Sequence, residues 1–339
     1  DVDGSANLYV ADWRDGRYKY AGEGKKVGMI QQVRVKGGTL TRYYDVNGLS
    51  DEDLVSLLGC ASAVQRFAVQ REMLKRNRPG AYIQGVYELA ADSEQSIEAR
   101  VAAIFTFKQL APQLAPRYLA QLSKDKTVRE YVLRAMTDRK SELAGVPLKP
   151  YLRGLNDPNP RVVLQAMIGL ERLQAVESSP AILKASIKWE EPGVSPRLQH
   201  TATAVLSSLA DIASLLKGTE DPATRALAYS ALQRLHQKEA VDGLIQLAME
   251  SEDSAQAYGA LSALARLHFR EAEWDLKAWW RTRPDDRGPY FTPEEWDESA
   301  RIRTAIEQGF ARIPAERQGE YLAGLAKNRI AISNLKLAG

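Results

Sequence analysis

The sequence predicts a mostly α-helical fold, a solenoid of paired helices, and three observations carry that prediction. Apolar residues recur at helical spacing from Ser50 to about Phe269. Helix-start signals recur with them: Asn159-Pro160-Arg161, Ser195-Pro196-Arg197, and Asp221-Pro222 with Arg225. At 339 residues the chain exceeds an ordinary single core, so either two domains or a repeat array is expected, and the repeats decide for the array.

The clearest unit runs from Val146 to Leu173. Asn159 is placed to cap its second helix and Pro160 to occupy the first helical position, where a missing N–H costs nothing. Val162, Ala166, Leu170 and Leu173 then form an apolar face, met by Tyr151, Leu152 and Leu155 of a short first helix. Such a pair leaves apolar surface on both flanks and needs neighbours. Small residues Ala166, Ala202, Ala204 and Ala231 would let layers approach closely.

Residues 1–45 read differently from the rest. Asn7 to Trp13 and Val27 to Val35 are β-branched and aromatic-rich, joined by a connector with Asp15-Gly16 and Gly22-Glu23-Gly24. A strand pair alone is marginal in water, so this β-hairpin is expected to belong to a larger sheet. Asp1, Asp3 and Asp12 read as turn and strand-end residues rather than calcium ligands.

The array is expected over residues 50–270. Helix pairs are predicted at Ser50 to Leu58 with Ser62 to Arg76, Ala81 to Ala91 with Glu94 to Leu110, and Pro116 to Leu122 with Lys126 to Arg139. After the Val146 to Leu173 unit come Pro180 to Lys188 with Pro196 to Leu209, Asp211 to Lys217 with Pro222 to His236, and Lys238 to Glu250 with Ser254 to Phe269. Arg66, Arg100 and Arg129 stand near the starts of the earlier second helices. The resulting period of roughly 28 to 36 residues and about seven copies give a HEAT-like α-solenoid.

Residues 271–339 are predicted as an aromatic loop and C-terminal helical cap. Trp274, Trp279 and Trp280 fall on a last helix ending at Arg283-Pro284, before a turn-rich stretch through Arg287 to Tyr290. Thr292, Pro293 and Glu295 read as a capping box opening a helix to about Phe310. Helices at Pro314 to Ala326 and Arg329 to Leu337 complete the cap. The interaction candidates here are Trp279, Trp280, Arg283, Arg287, Tyr290 and Trp296. They could dock another domain or stack on a sugar, but closing the open end of the array is the favoured role.

Composition narrows function more than it defines it. Lys and Arg number 46 against 43 Asp and Glu, a near balance that argues against a dedicated nucleic-acid binder. The densest basic cluster is Arg66, Arg71, Lys75, Arg76 and Arg78, a solvated helix face by preference and a phosphate-contacting ridge by alternative. The single cysteine, Cys60, excludes an internal disulfide framework and reads as a packing residue. His200, His236 and His268 fall one per second helix and are expected to be scattered repeat positions rather than metal ligands. No phosphate-binding glycine loop or nucleophile elbow is present. No run of about 18 apolar residues predicts a membrane-spanning helix. A chain that opens on Asp1 without a leader is expected to be a processed product or an excised fragment.

Two stretches carry a family resemblance. Asp3-Gly4-Ser5 with Asn7-Leu8-Tyr9-Val10-Ala11-Asp12-Trp13 and the strand at Gly28 resembles the closing blade of a sorbosone- or glucose-dehydrogenase β-propeller. Trp279-Trp280-x-Thr282-Arg283-Pro284-Asp285-x-x-Gly288-Pro289-Tyr290, with Trp296 behind it, resembles a segment of the PVC-type haem-binding or membrane-bound dehydrogenase family. Leu49-Ser50-Asp51-x-x-Leu54 followed by Gln70-Arg71-Glu72 is similar to that family's entry into its helices. The family joins a propeller, HEAT repeats and a cytochrome c domain. The resemblance therefore implies a periplasmic or extracytoplasmic parent acting in sugar oxidation or electron transfer. This chain has no Cys-x-x-Cys-His, so haem c would belong to the absent cytochrome domain and no cofactor is expected here.

The reading is a non-catalytic scaffold of a larger exported protein, with a protein partner or the missing propeller and cytochrome domains as its contacts. A fragment of a catalytic sugar dehydrogenase is the alternative, and a HEAT-like nucleic-acid-binding protein the third.

Overall fold

The structure is a computed structural model that describes residues 7–13, 28–34, 36–38, 42–189, 195–274, 276, 289–332 and 335. Two compact units divide the chain, Asp1–Pro147 and Leu148–Gly339, and each builds its core from stacked helix pairs. The fold is mostly helical and HEAT-like, with an N-terminal β-hairpin and a C-terminal helical segment.

In the first unit β1 (Leu8–Trp13) pairs antiparallel with β2 (Gly28–Val33), Leu8 facing Val33 and Ala11 facing Ile30. Alternation puts Leu8 and Val10 on one face and Tyr9 and Ala11 on the other. Leu8, Val10, Ile30 and Val33 all remain exposed, Ile30 at 76%.

Six helices follow in three pairs: α1 (Asp51–Leu58) and α2 (Ala63–Arg76), α3 (Pro79–Ala91) and α4 (Ile97–Leu110), α5 (Ala115–Leu122) and α6 (Arg129–Met136). Serine caps explain several starts: Ser50, Ser62 and Ser96 accept the backbone N–H of Asp53, Gln65 and Ala99. Second helices α2, α4 and α6 pack side by side, and α1 packs on α3. Leu54, Met73, Tyr82, Ile104, Leu119 and Leu133 are fully buried between them. Tyr87, Phe107 and Tyr118 join α3, α4 and α5 through ring contacts of 5.1 to 5.7 Å.

The second unit continues the scheme with α7 (Lys149–Gly154) and α8 (Pro160–Arg172), α9 (Ser179–Ser186) and α10 (Ser195–Leu209), α11 (Ile212–Gly218) and α12 (Pro222–Leu232), α13 (Lys238–Glu250) and α14 (Ser254–Leu267). Asn159 caps α8 as its position predicts, accepting the Arg161 N–H at 3.0 Å. Val162, Ala166 and Leu170 are buried with Tyr151 and Leu155. Leu173 is only half-buried, and Leu152 is turned away from that face and stays 38% exposed.

Close approach between helices rests on glycine as well as on the alanines the sequence singles out. Ala166, Ala202 and Ala231 are buried, whereas Ala204 faces solvent. A Cβ on Gly169 would overlap the Tyr151 ring, one on Gly259 the Tyr229 ring, and one on Gly243 the Leu216 side chain. These notches let the ring or methyl groups of one helix sink against the backbone of the next.

The repeat arginines fasten each pair internally. Arg66 donates to the carbonyls of Cys60 at 2.7 Å and Ala61 at 2.8 Å. Arg129 does the same to Ser123 at 2.8 Å and Lys124 at 2.9 Å, and Arg225 to Thr219 at 2.7 Å and Glu220 at 3.2 Å. In each case the second helix reaches back six and five residues to carbonyls that close the first helix. Arg225 also pairs with Asp253, the α14 cap, at 2.6 Å. Arg100 differs: it reaches ten residues back to the Ala90 carbonyl and forward to Thr127 and Asp125 before the next second helix.

The C-terminal region departs from its predicted helices. After α14 the chain turns into β3 (Phe269–Glu271), paired antiparallel with β4 (Pro293–Glu295), and Trp274 lies outside any helix. The capping-box reading of Thr292 to Glu295 fails because extended backbone has better partners there. The Glu271 carboxylate takes the N–H of Phe291 at 2.6 Å and of Thr292 at 2.7 Å, and Arg270 meets Glu294 at 2.7 Å across the strands. The helix α15 (Ser299–Gly309) starts later, with the Ser299 hydroxyl accepting the Trp296 N–H at 2.8 Å. α16 (Ala315–Lys327) matches the prediction. The helix expected from Arg329 is not formed among the described residues: Arg329 takes φ +62°, which stops a right-handed helix.

Candidate functional site

The first unit carries a groove of about 500 Å³ running across α2, α4 and α6. Its floor and walls come from Ala63, Phe67, Val101, Ala102 and Phe105, with Gln70 and Gln109 among its polar residues. The α2 face that makes it lies beside the buried stripe of Gln65, Ala68, Val69, Glu72 and Met73, so Phe67 is left 63% exposed. On α4, Glu98, Val101, Ala102, Phe105 and Gln109 recur at helical spacing and run along the groove. Gln70 Nε2 donates to Thr106 Oγ1 at 3.0 Å, and that hydroxyl donates to the Ala102 carbonyl at 2.7 Å, which ties the two helices together at the groove.

Three charged groups border this apolar surface: Arg66, Glu98 and Arg134. Arg66 is spent on carbonyls. Arg134 is exposed, with its guanidinium 6.0 Å from the centre of the Phe105 ring. Glu98 sits in the first turn of α4, where the helix dipole favours it. The groove is therefore apolar in its floor and net basic at its edge.

The basic cluster predicted as a ridge is mostly folded onto carboxylates. Arg76 meets Glu72 at 2.9 Å and Asp51 at 3.0 Å, and it also donates to the carbonyls of Leu49 and Val46. Lys75 lies 3.5 Å from Glu72 and Arg78 3.6 Å from Asp51. Hydrogen bonds from Tyr82 and then Arg76 lower the Asp51 carboxyl, and those Arg76 donates to Glu72 and Asp51 raise its guanidinium. Among the five, Arg71 alone is exposed without a carboxylate or carbonyl partner among the described residues.

Of the C-terminal candidates, Trp279, Trp280, Arg283 and Arg287 lie outside the described residues, as do Asp1 and Asp3. Tyr290 and Trp296 meet at His236. The His236 Nε2 is 2.9 Å from the Phe269 carbonyl and 3.3 Å from the Tyr290 hydroxyl, which itself donates to the Arg266 carbonyl at 3.0 Å. An Nε2–H tautomer satisfies both contacts. Trp296 packs edge-on against the imidazole at 5.2 Å and donates its indole N–H to the Leu267 carbonyl at 2.7 Å. Burial lowers the His236 imidazole below its ordinary value, with the Phe269 carbonyl opposing that shift. These contacts lie at the end of α14, where Tyr290 and Trp296 bond the carbonyls of Arg266 and Leu267.

His268 is fully buried and stacked on Phe269 at 4.5 Å, whereas His200 is exposed on α10. Among the described residues no three His, Cys, Asp or Glu side chains converge on a space fit for a metal ion. Cys60 is half-buried at the end of α1, its thiol 3.6 Å from the Ser62 carbonyl.

Sequence reasoning does not single out Phe67, Phe105 or Arg134. The available signal was an aromatic residue standing off the buried stripe of α2, in register with a second such line on α4.

No protein-family model matches the chain, and no curated protein matches it. Among solved structures it is similar to an archaeal HEAT-like repeats protein from Thermococcus onnurineus NA1, with TM-score 0.30 and 14% identity over 79% of this chain and 100% of the other. No helix among the described residues is long and apolar enough to cross a membrane.

Proposed function

We propose that this chain is a non-catalytic scaffold whose first unit docks an apolar protein segment carrying a carboxylate. The observation that supports this most is the groove across α2, α4 and α6, with Phe67 63% exposed and Arg134 at its edge without an ion-pair partner among the described residues. Exposed aromatic surface in a shallow groove favours a partner side chain that buries it, and the unpaired guanidinium favours an acid beside that side chain.

The sequence resemblance supplies the finer reading: a parent protein exported from the cytoplasm that joins a propeller, these repeats and a cytochrome c domain. On that reading the docked segment comes from one of those domains, and electron transfer takes place outside this chain. The test is a binding measurement between the purified chain and separately expressed propeller and cytochrome domains encoded beside it. A complex that forms with the wild type and weakens at least roughly tenfold in Phe67→Glu, with unchanged unfolding, would support the proposal. No complex, or one indifferent to Phe67→Glu, would refute it. The purified chain should also show no haem, flavin or quinone absorbance band; such a band would favour a catalytic dehydrogenase fragment over a scaffold.

A further inference from the structure

Among the described residues the groove of the first unit is walled by helix faces, those of α2, α4 and α6, and that limits what can lie in it. An α-helix bonds its own N–H and C=O groups internally, so α2 and α4 offer an incoming chain no free backbone group between their first and last turns. The side-chain donors along the groove are also engaged inward. Gln70 Nε2 donates to Thr106 Oγ1 at 3.0 Å, Gln109 Nε2 to the Phe105 carbonyl at 3.2 Å, and Arg66 to the carbonyls of Cys60 and Ala61. An extended segment laid over Phe67 and Phe105 would therefore cover its own backbone polar groups without giving them partners. A helix arrives with those groups already bonded.

Two exposed charges border the apolar floor, and neither forms an ion pair among the described residues: Glu98 in the first turn of α4, and Arg134, whose guanidinium lies 6.0 Å from the centre of the Phe105 ring. Phe105 follows Glu98 by two helical turns, about 10 Å along the axis of α4. We propose that the groove takes an amphipathic α-helix of a partner protein, whose apolar face covers Phe67 and Phe105 and whose edge carries a carboxylate for Arg134 and, about seven residues away, a cation for Glu98. This rests on the docking reading of the groove and adds the conformation and the charge register of the docked segment. An interval of about seven residues returns both charges to one face of a helix in either chain direction. In an extended chain the same interval spans roughly 23 Å and puts the two side chains on opposite faces. The α4 wall from Glu98 to Gln109 is about 16 Å long, the length of about three turns of bound helix.

The test is selection of displayed random peptides, each long enough for about four helical turns, on the full chain with counter-selection on Phe67→Glu. That change is at an exposed position, so its thermal melt should match the wild type. Peptides retained by the wild type alone should carry apolar residues at i, i+3, i+4 and i+7, with an acid and a base about seven apart. A synthetic peptide of that consensus should bind the wild type at least roughly tenfold more tightly than it binds Phe67→Glu, and lose as much when proline is placed at its centre. Selection on Arg134→Glu should return Lys or Arg where the wild type selects the acid; an unchanged acid there would overturn the charge register. Retained peptides with apolar residues at alternate positions, or a consensus indifferent to the central proline, would overturn the helix while leaving docking at the groove intact. The absence of any Phe67-dependent peptide would overturn the docking reading itself. Self-association of the chain that disappears in Phe67→Glu would give the groove to a second copy and overturn the proposal.

Discussion

Gly169 sits so close beneath the Tyr151 ring that a single added carbon would overlap it. Glycine inside a helix costs about 1 kcal/mol against alanine in an isolated setting, so its presence in the middle of α8 is offset by the depth to which the ring can sink. Gly169→Ala is expected to destabilise the second unit by roughly 1–3 kcal/mol in denaturant unfolding, against the direction helix propensity predicts. Adding Tyr151→Leu should recover part of that loss; simple addition of the two effects would argue against the contact. This detail was not legible in the sequence, where a mid-helix glycine reads only as a weak former and its partner belongs to another helix. Asp125 offers a second residue-level check. Burial raises its carboxyl, but hydrogen bonds from Arg100 and Thr127 outweigh that and bring it to about 2. Because this lies below the ordinary 3.8, its stabilisation is fully present above about pH 4 and is lost as pH falls toward 2. Asp125→Asn should flatten the stability profile of the first unit across that window, and an unaltered slope would remove the assignment.

At the level of elements, α8 carries the plainest expectation. Leu170 is completely buried, so Leu170→Asp places an unpaired charge inside the stack and should cost roughly 3–5 kcal/mol, lowering and broadening the melt as the neighbouring pairs lose support. A two-state melt at the wild-type temperature would count against stacking as the source of stability. The helix pairs were readable from the sequence because their caps are local: Ser62, Asn159, Asp221 and Asp253 each accept a backbone N–H of their own first turn. The strand at Pro293 was not readable, because what decides it is Glu271 and Arg270, a loop away in sequence. The recurring arginines were visible as a pattern, whereas their target, the carbonyls closing the preceding helix, needed coordinates.

At the scale of the whole molecule, two of the places where apolar surface stays in water among the described residues matter most. One is the groove with Phe67 and Phe105; the other is the hairpin, whose Leu8, Val10, Ile30 and Val33 are exposed. Unpaired strand edges next to apolar faces favour association with other strands. Ile30→Lys is therefore expected to reduce concentration-dependent self-association in sedimentation velocity without altering the helical melt; unchanged association would mean that the hairpin does not drive it. Arg76, Lys75 and Arg78 face acids, which no count of charges in the sequence could show. The groove escaped notice because each of its residues is unremarkable in its own helix and only their alignment across α2 and α4 makes a surface.

The backward-reaching arginines have one more implication. Arg66, Arg129 and Arg225 grip main-chain oxygens, which every residue type presents, so the loop they close can change its side chains freely while the latch still holds. Duplicating one such hairpin would carry its own fastener along, and mutational drift in the connecting turns would leave the count and pitch of the copies untouched.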